Sequence, residues 1–206
     1  MANSEHVELA RRYAAGERDR RLEMLDLAGA DLRGLDFSAA WLRDTDLSGA
    51  SLQGCRFVGA PMPGVNLNGA DLTEADLHGV IAAGATFKGA KLIKASLRAA
   101  DLYGADLTQA DLSGADLTQA DLSLAQAIQA VFVEARLTRA ILFSADLSQA
   151  DLRETDLAQA ENVSGARFEQ ALLPPGYQPV NNRRRSRFAK EFFGEKKKQW
   201  WPWGSK

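Results

Sequence analysis

The chain has 206 residues, 46% of them hydrophobic and 25% charged, with a formal net charge of −2, enough to bury the core of one ordinary domain or repeat array. One cysteine excludes an internal disulfide framework, and His6 and His78 are too far apart for a metal-ligand spacing. There is no apolar run of about 18 residues and no basic-then-apolar leader at the N-terminus, so the expectation is a cytoplasmic chain without a spanning segment.

Residues 1–20 read as a short helical cap. Ser4 is placed to N-cap the segment EHVELARRYAA and Gly16 to stop it. Val7, Leu9 and Tyr13 would then lie over whatever follows.

From residue 21 to 173 the chain repeats every five residues, as in ADLTQADLSGADLTQADLS at 105–123. Five steps around a helix scatter the leucines over its surface, and five steps along a strand swap them between faces, so neither regular element fits. The central position runs unbroken from Leu27 to Leu157 as 27 residues: 20 Leu, four Phe, one Met and two Ala. Two residues before each centre, the 28 positions from Leu25 to Ala160 hold 21 Ala. Two of every five residues therefore point inward. A chain that turns a corner every five residues, with its rungs stacked at strand spacing, satisfies that pattern. Both alanine centres, Ala82 and Ala127, are followed by phenylalanine centres, Phe87 and Phe132, which conserves core volume. The register slips by one residue near Asn162, leaving Val163 and Phe168 as the expected last centres before LLPPGYQP ends the array. Cys55 falls at an inward small position and reads as an inert core thiol.

The units ADLTQ, ADLSG and ADLSQ resemble the A-(D/N)-L-x-x motif of the pentapeptide-repeat proteins. The resemblance covers about residues 22–173 and implies an all-β solenoid, a right-handed quadrilateral β-helix with four repeats per 20-residue coil. The lead-in RRYAAGERD is similar to the start of many bacterial, notably cyanobacterial, members. About seven coils at ~4.8 Å each make a prism on the order of 35 Å long.

The repeat aspartates recur for reasons of turn geometry and have no histidine or cysteine partner in sequence, so no enzyme, cofactor, metal or small-molecule substrate is expected. The resemblance implies a different activity, since some members mimic a negatively charged DNA rod and inhibit gyrase, a type II topoisomerase. Residues 22–173 carry 21 acids and 11 bases. Down one side, however, Asp36, Arg56, Asp76, Ser96, Asp116, Arg136 and Asp156 alternate, and such interleaving relieves repulsion between rungs rather than building unbroken negative potential. Stability is the preferred explanation of these acids, with mimicry the alternative.

The side centred on Leu22, Leu42, Met62, Ala82, Leu102, Leu122 and Leu142 differs from the others. Its flanking residues include Trp41, Pro61, Pro63, Ile81, Tyr103, Leu124, Ile141 and Phe143, whereas the side centred on Leu27, Leu47 and Leu67 is flanked mostly by Asp, Asn, Ser, Thr and Gln. Outward apolar residues gathered on one side suggest a docking surface, for a protein partner, a second copy of the chain or the chain's own tail.

Residues 174–182 read as a linker and 183–206 as a basic, tryptophan-rich tail. Residues 174–206 hold nine bases against two acids. Ser186 can cap a short helix that places Phe188 and Phe192 at i and i+4, with Phe193 beside them. The bases Arg183, Arg184, Arg185, Arg187, Lys196, Lys197 and Lys198, next to Trp200, Trp201 and Trp203, are what an anionic membrane surface binds. Nucleic acid is disfavoured because the acidic prism repels a long strand. The sequence thus reads as a scaffold offering an apolar side and a basic aromatic tail to a protein partner or a membrane surface.

Overall fold

The computed structural model describes residues 2–18 and 21–179. A single repeat shows why the period is five. In the unit 106–110 the Asp106 N–H donates back to Ala85 O at 3.0 Å, while the Leu107 and Gln109 N–H groups donate forward to Gln126 O and Ile128 O at 2.6 and 2.9 Å. The Ala110 N–H closes the turn on Leu107 O at 3.0 Å. That leaves Thr108, whose N–H points at no carbonyl; it donates to the Asp106 carboxylate at 2.9 Å. All five N–H groups are thereby satisfied, four by backbone and one by the aspartate, which is why an acid or amide recurs at the second position. The same side-chain bond recurs at Asp46, Asn66, Asp76, Asp121 and Asp146, among others.

The units stack as parallel bridges 20 residues apart, for example Asp71 with Lys91 and Lys91 with Asp111. Four units make the four sides of a coil, and the coils form a right-handed quadrilateral β-helix. Every centre from Leu22 to Leu157 is buried, including the compensating pairs Ala82 with Phe87 and Ala127 with Phe132. Phe37 and Phe57, on successive coils of one side, stack with ring centroids 5.3 Å apart. The second residue after each centre from Leu22 to Leu152 adopts positive φ to turn the corner. Glycine is the natural occupant there, as at Gly84 (φ +68°), but Leu124 and Gln109 accept the same backbone at φ +60°. Inward polar groups find carbonyls: the Thr45 hydroxyl donates to Leu22 O and the Cys55 thiol to Leu32 O. Burial pushes that thiol up to about 11, so it is inert at neutral pH.

The first coil has no coil before it, and helix α1 (Ser4–Ala14) replaces what is missing. The Asp26 N–H, which inside the stack would donate to a carbonyl, donates to His6 Nδ1 at 2.9 Å, and Asp26 O accepts the Asn3 N–H at 3.2 Å. Arg11 donates to Asp31 O, and Tyr13 and Arg18 both donate to Ser38 O. An open sheet edge is thereby closed by side chains. The N-cap is Asn3, whose Oδ1 accepts from the Glu5 and His6 N–H groups, rather than Ser4, which is the first helical residue. Ala10 and Tyr13 are buried, and Val7 and Leu9 pack partly buried on the core.

At the other end a 3₁₀ turn at Leu157–Gln159 absorbs one extra residue, and the bridges continue 21 apart as Ile141–Asn162, Asp146–Arg167 and Asp151–Leu172. Val163 and Phe168 are centres, and Leu173 extends the array by one more. Tyr177 packs edge-on against Phe168, with centroids 6.3 Å apart. Among the described residues no helix is long and apolar enough to cross a membrane.

Candidate interaction face

Because each unit repeats the same backbone, outward residues fall into columns that run the length of the prism. On the side centred on Leu22 to Leu142 the bridge column carries Trp41, Pro61, Ile81, Asp101, Asp121 and Ile141 in turn. The next column carries Pro63, Tyr103, Ser123 and Phe143, and the corner column carries Met24, Gly64, Gly84, Gly104 and Leu124. Pro61, Ile81, Asp101, Asp121 and Ile141 are linked by successive bridges. Six large apolar side chains are exposed among the described residues, and five of them, Met24, Trp41, Ile81, Tyr103 and Leu124, lie on this side. Their exposure runs from 41% for Tyr103 to 77% for Met24. Pro61, Ile141 and Phe143 are half-buried within it. The sixth, Leu172, lies on the opposite side in the last coil. Arg21 sits 5.2 Å over the Trp41 ring, a cation–π contact that closes the N-terminal end of the stripe. Met24 and this arginine were not singled out by the sequence. The signal was there, a bulky residue where the corner column prefers glycine.

The middle of the stripe is acidic. Asp101 and Asp121 are bridged neighbours, each accepting the N–H two residues on, from Tyr103 and Ser123. Neither has a basic partner among the described residues. Burial pushes Asp101 above the ordinary carboxylate value, and the charge of Asp121 pushes it the same way, against the Tyr103 hydrogen bond. Between Tyr103 and Phe143 the Ser123 side chain is wholly buried and its hydroxyl has no hydrogen-bond partner. Elsewhere that hydroxyl returns to the preceding acid, as Ser113 does to Asp111 and Thr118 to Asp116.

The other sides are mostly polar, and several of their acids are ion-paired. Asp116 is held between Arg98 and Arg136 at 3.1 and 3.5 Å, Asp146 pairs with Arg167 and Asp106 with Lys88. Side-chain hydrogen bonds from Arg33 hold Asp31 down at about 2, and those from Arg153 lower Asp151. Gln109, Gln129 and Gln149 form an amide ladder with steps of 2.9 and 2.8 Å. His78 is exposed in its turn, and no group of three or more His, Cys, Asp or Glu among the described residues could hold a metal. The tail residues from Arg183 to Trp203 lie outside the described residues.

Known proteins were compared with this geometry. Curated proteins give no match. Among solved structures, a trypsin-treated form of QnrB1, a plasmid-mediated fluoroquinolone resistance protein, is 21% identical, with 71% of this chain and 83% of that one covered and a TM-score of 0.59. HetL of the cyanobacterium Nostoc, a pentapeptide repeat protein involved in heterocyst differentiation regulation, is 30% identical over 82% of this chain and 97% of its own, with a TM-score of 0.41. A pentapeptide repeat protein of the Arabidopsis thaliana thylakoid lumen is 34% identical over 44% of this chain and 63% of its own, with a TM-score of 0.43. The family model for pentapeptide repeats matches in eight copies over residues 21–49, 50–82, 83–119 and 120–159. With the five-residue bonding cycle and the matched stretch together, the chain belongs to the pentapeptide-repeat family.

Proposed function

We propose that this protein is a non-enzymatic interaction scaffold, with the apolar side around Trp41, Ile81, Tyr103 and Phe143 as its protein-docking surface and the basic aromatic tail as its contact with an anionic membrane surface. The observation that carries this reading is the gathering of five of the six exposed large apolar side chains on one side. Backbone bonding and core burial repeat alike on every side, so folding alone has no use for that asymmetry. The titratable groups support the non-enzymatic part: the acids serve turns and ion pairs, and the thiol is buried. The DNA-mimic alternative loses ground to the same ion pairs, since Arg98, Arg136, Lys88 and Arg167 interrupt the negative ladders. Co-sedimentation with anionic and neutral vesicles at low and moderate salt tests the tail. Salt-sensitive binding to the anionic vesicles alone is expected, because each basic residue near such a surface contributes on the order of 1 kcal/mol. Equal binding to both, or to neither, would remove the membrane from the account. For the mimic, inhibition of a supercoiling reaction at micromolar protein would reverse the ranking.

A further inference from the structure

The apolar side is not the kind of surface that meets an anionic membrane. Asp101 and Asp121 stand stacked at its middle with no base beside them among the described residues, and Glu23 and Asp44 lie at its end against Arg21 and Arg43. Among the described residues only one other bridged pair is doubly acidic, Asp26 with Asp46. That pair sits in the capped coil, where Asn66 donates to Asp46 at 3.0 Å. Two adjacent carboxylates framed by Ile81, Tyr103, Leu124 and Ile141 call for an occupant that brings clustered cations followed by aromatic rings. The buried, unpaired Ser123 hydroxyl beside Asp121 is a further polar group awaiting a partner.

The chain contains such a segment. Arg183, Arg184, Arg185 and Arg187 precede Phe188, Phe192 and Phe193. The description ends at residue 179, about one coil past Asn162, and Asp121 lies two further coils back along the bridge column through Ile141 and Asn162, or ~14 Å in all. An extended chain covers ~26 Å by residue 187 and ~45 Å by residue 193, enough for that span and for the way around the prism. The length therefore suffices to bring the arginines to the acid pair and the phenylalanines towards Ile81 and Trp41, some four coils, or ~19 Å, beyond Asp121.

We infer that residues 183–193 of this chain dock on its own apolar side, with the arginine cluster on Asp101 and Asp121 and the phenylalanines on the apolar columns towards Trp41. This deepens the proposed function and rests on its reading of that side as a docking surface.

The test is disulfide trapping in the full chain, without vesicles or partner. Ser186→Cys is combined with Leu124→Cys, or with Glu134→Cys as the control. Glu134 occupies the same corner position on the opposite side at φ +60° and is likewise exposed. The buried Cys55 stays out of the exchange. Under mild oxidation the Leu124→Cys pair should close within one chain at least about tenfold faster than the control pair, because docking raises the local concentration of the thiol. Asp101→Asn with Asp121→Asn should bring the rate down to the control. Equal rates for the two pairs would overturn the inference while leaving the scaffold reading intact, since the side could still serve an external partner. Crosslinks between chains at Leu124→Cys would also overturn it, assigning the side to a second copy.

Discussion

The side centred on Leu102 and the side centred on Leu107 are neighbours in the same coils, and their inner halves are indistinguishable: buried leucine, buried alanine and the same cycle of backbone bonds. Their outer halves share the turn acids and little else. One shows Trp41, Ile81 and Tyr103 around two acids with no basic partner among the described residues, the other Asp46, Asn66, Asp106 and a ladder of glutamines. In this fold, two residues of five specify the structure and a third completes the turn. The remaining positions are free to diverge, and divergence there is where function is to be sought.

If that division holds, core changes should cost the same on either side. Leu102→Ala and Leu107→Ala are each expected to lower stability by about 2–5 kcal/mol in urea titrations; a large difference between them would mean that one side bears more of the fold. Removing the turn acid should cost less. Asp106→Ala leaves the Thr108 N–H without its acceptor and is expected to cost about 1–2 kcal/mol, with Asp106→Asn restoring most of it. Asp101→Asn should do the opposite of an ordinary turn-acid deletion. A carboxyl raised in the folded state destabilises once pH passes its ordinary value, so the variant, which keeps the acceptor for Tyr103 and removes the repulsion from Asp121, should be more stable at pH 7 and unchanged near pH 3. The gain should be small, because the group is partly solvated. By contrast Asp31 and Asp151, held low by their arginines, contribute stability that is present above the ordinary carboxylate value and lost as pH falls below it. An acid titration from pH 5 to 2 should show the loss, and Arg153→Ala should reduce it. The smallest effect on stability is expected where the functional effect is largest: Trp41→Ser with Tyr103→Ser should stay within roughly 0.5 kcal/mol of the parent.

The corner at every fifth residue and the register slip near Asn162 were legible in the sequence because a five-residue period with buried leucine and alanine fits neither helix nor strand, whereas the four sides of the coil came from the resemblance to the pentapeptide-repeat proteins. The apolar side was legible once that resemblance supplied the 20-residue coil, since adding 20 to a residue number moves one rung along a column. Two features were not. The helical cap over the first coil was legible, but its polar bonds depend on His6, Arg11 and Arg18 reaching particular backbone groups, and side-chain reach of that kind has no periodic signature. The acid pair escaped notice because Asp101 and Asp121 look like any other turn acids until their bridge neighbours, Ile81 and Ile141, are seen to be apolar.

The central claim is that the apolar side acts without being needed for the fold. Co-sedimentation of the full chain and of Trp41→Ser/Tyr103→Ser with anionic vesicles, on samples matched for urea midpoint, tests it most directly. The account predicts salt-sensitive binding by both and tighter binding by the variant, whose tail is no longer held by the solenoid. Identical binding curves would contradict the coupling between side and tail, and no binding by either protein would contradict the membrane role itself.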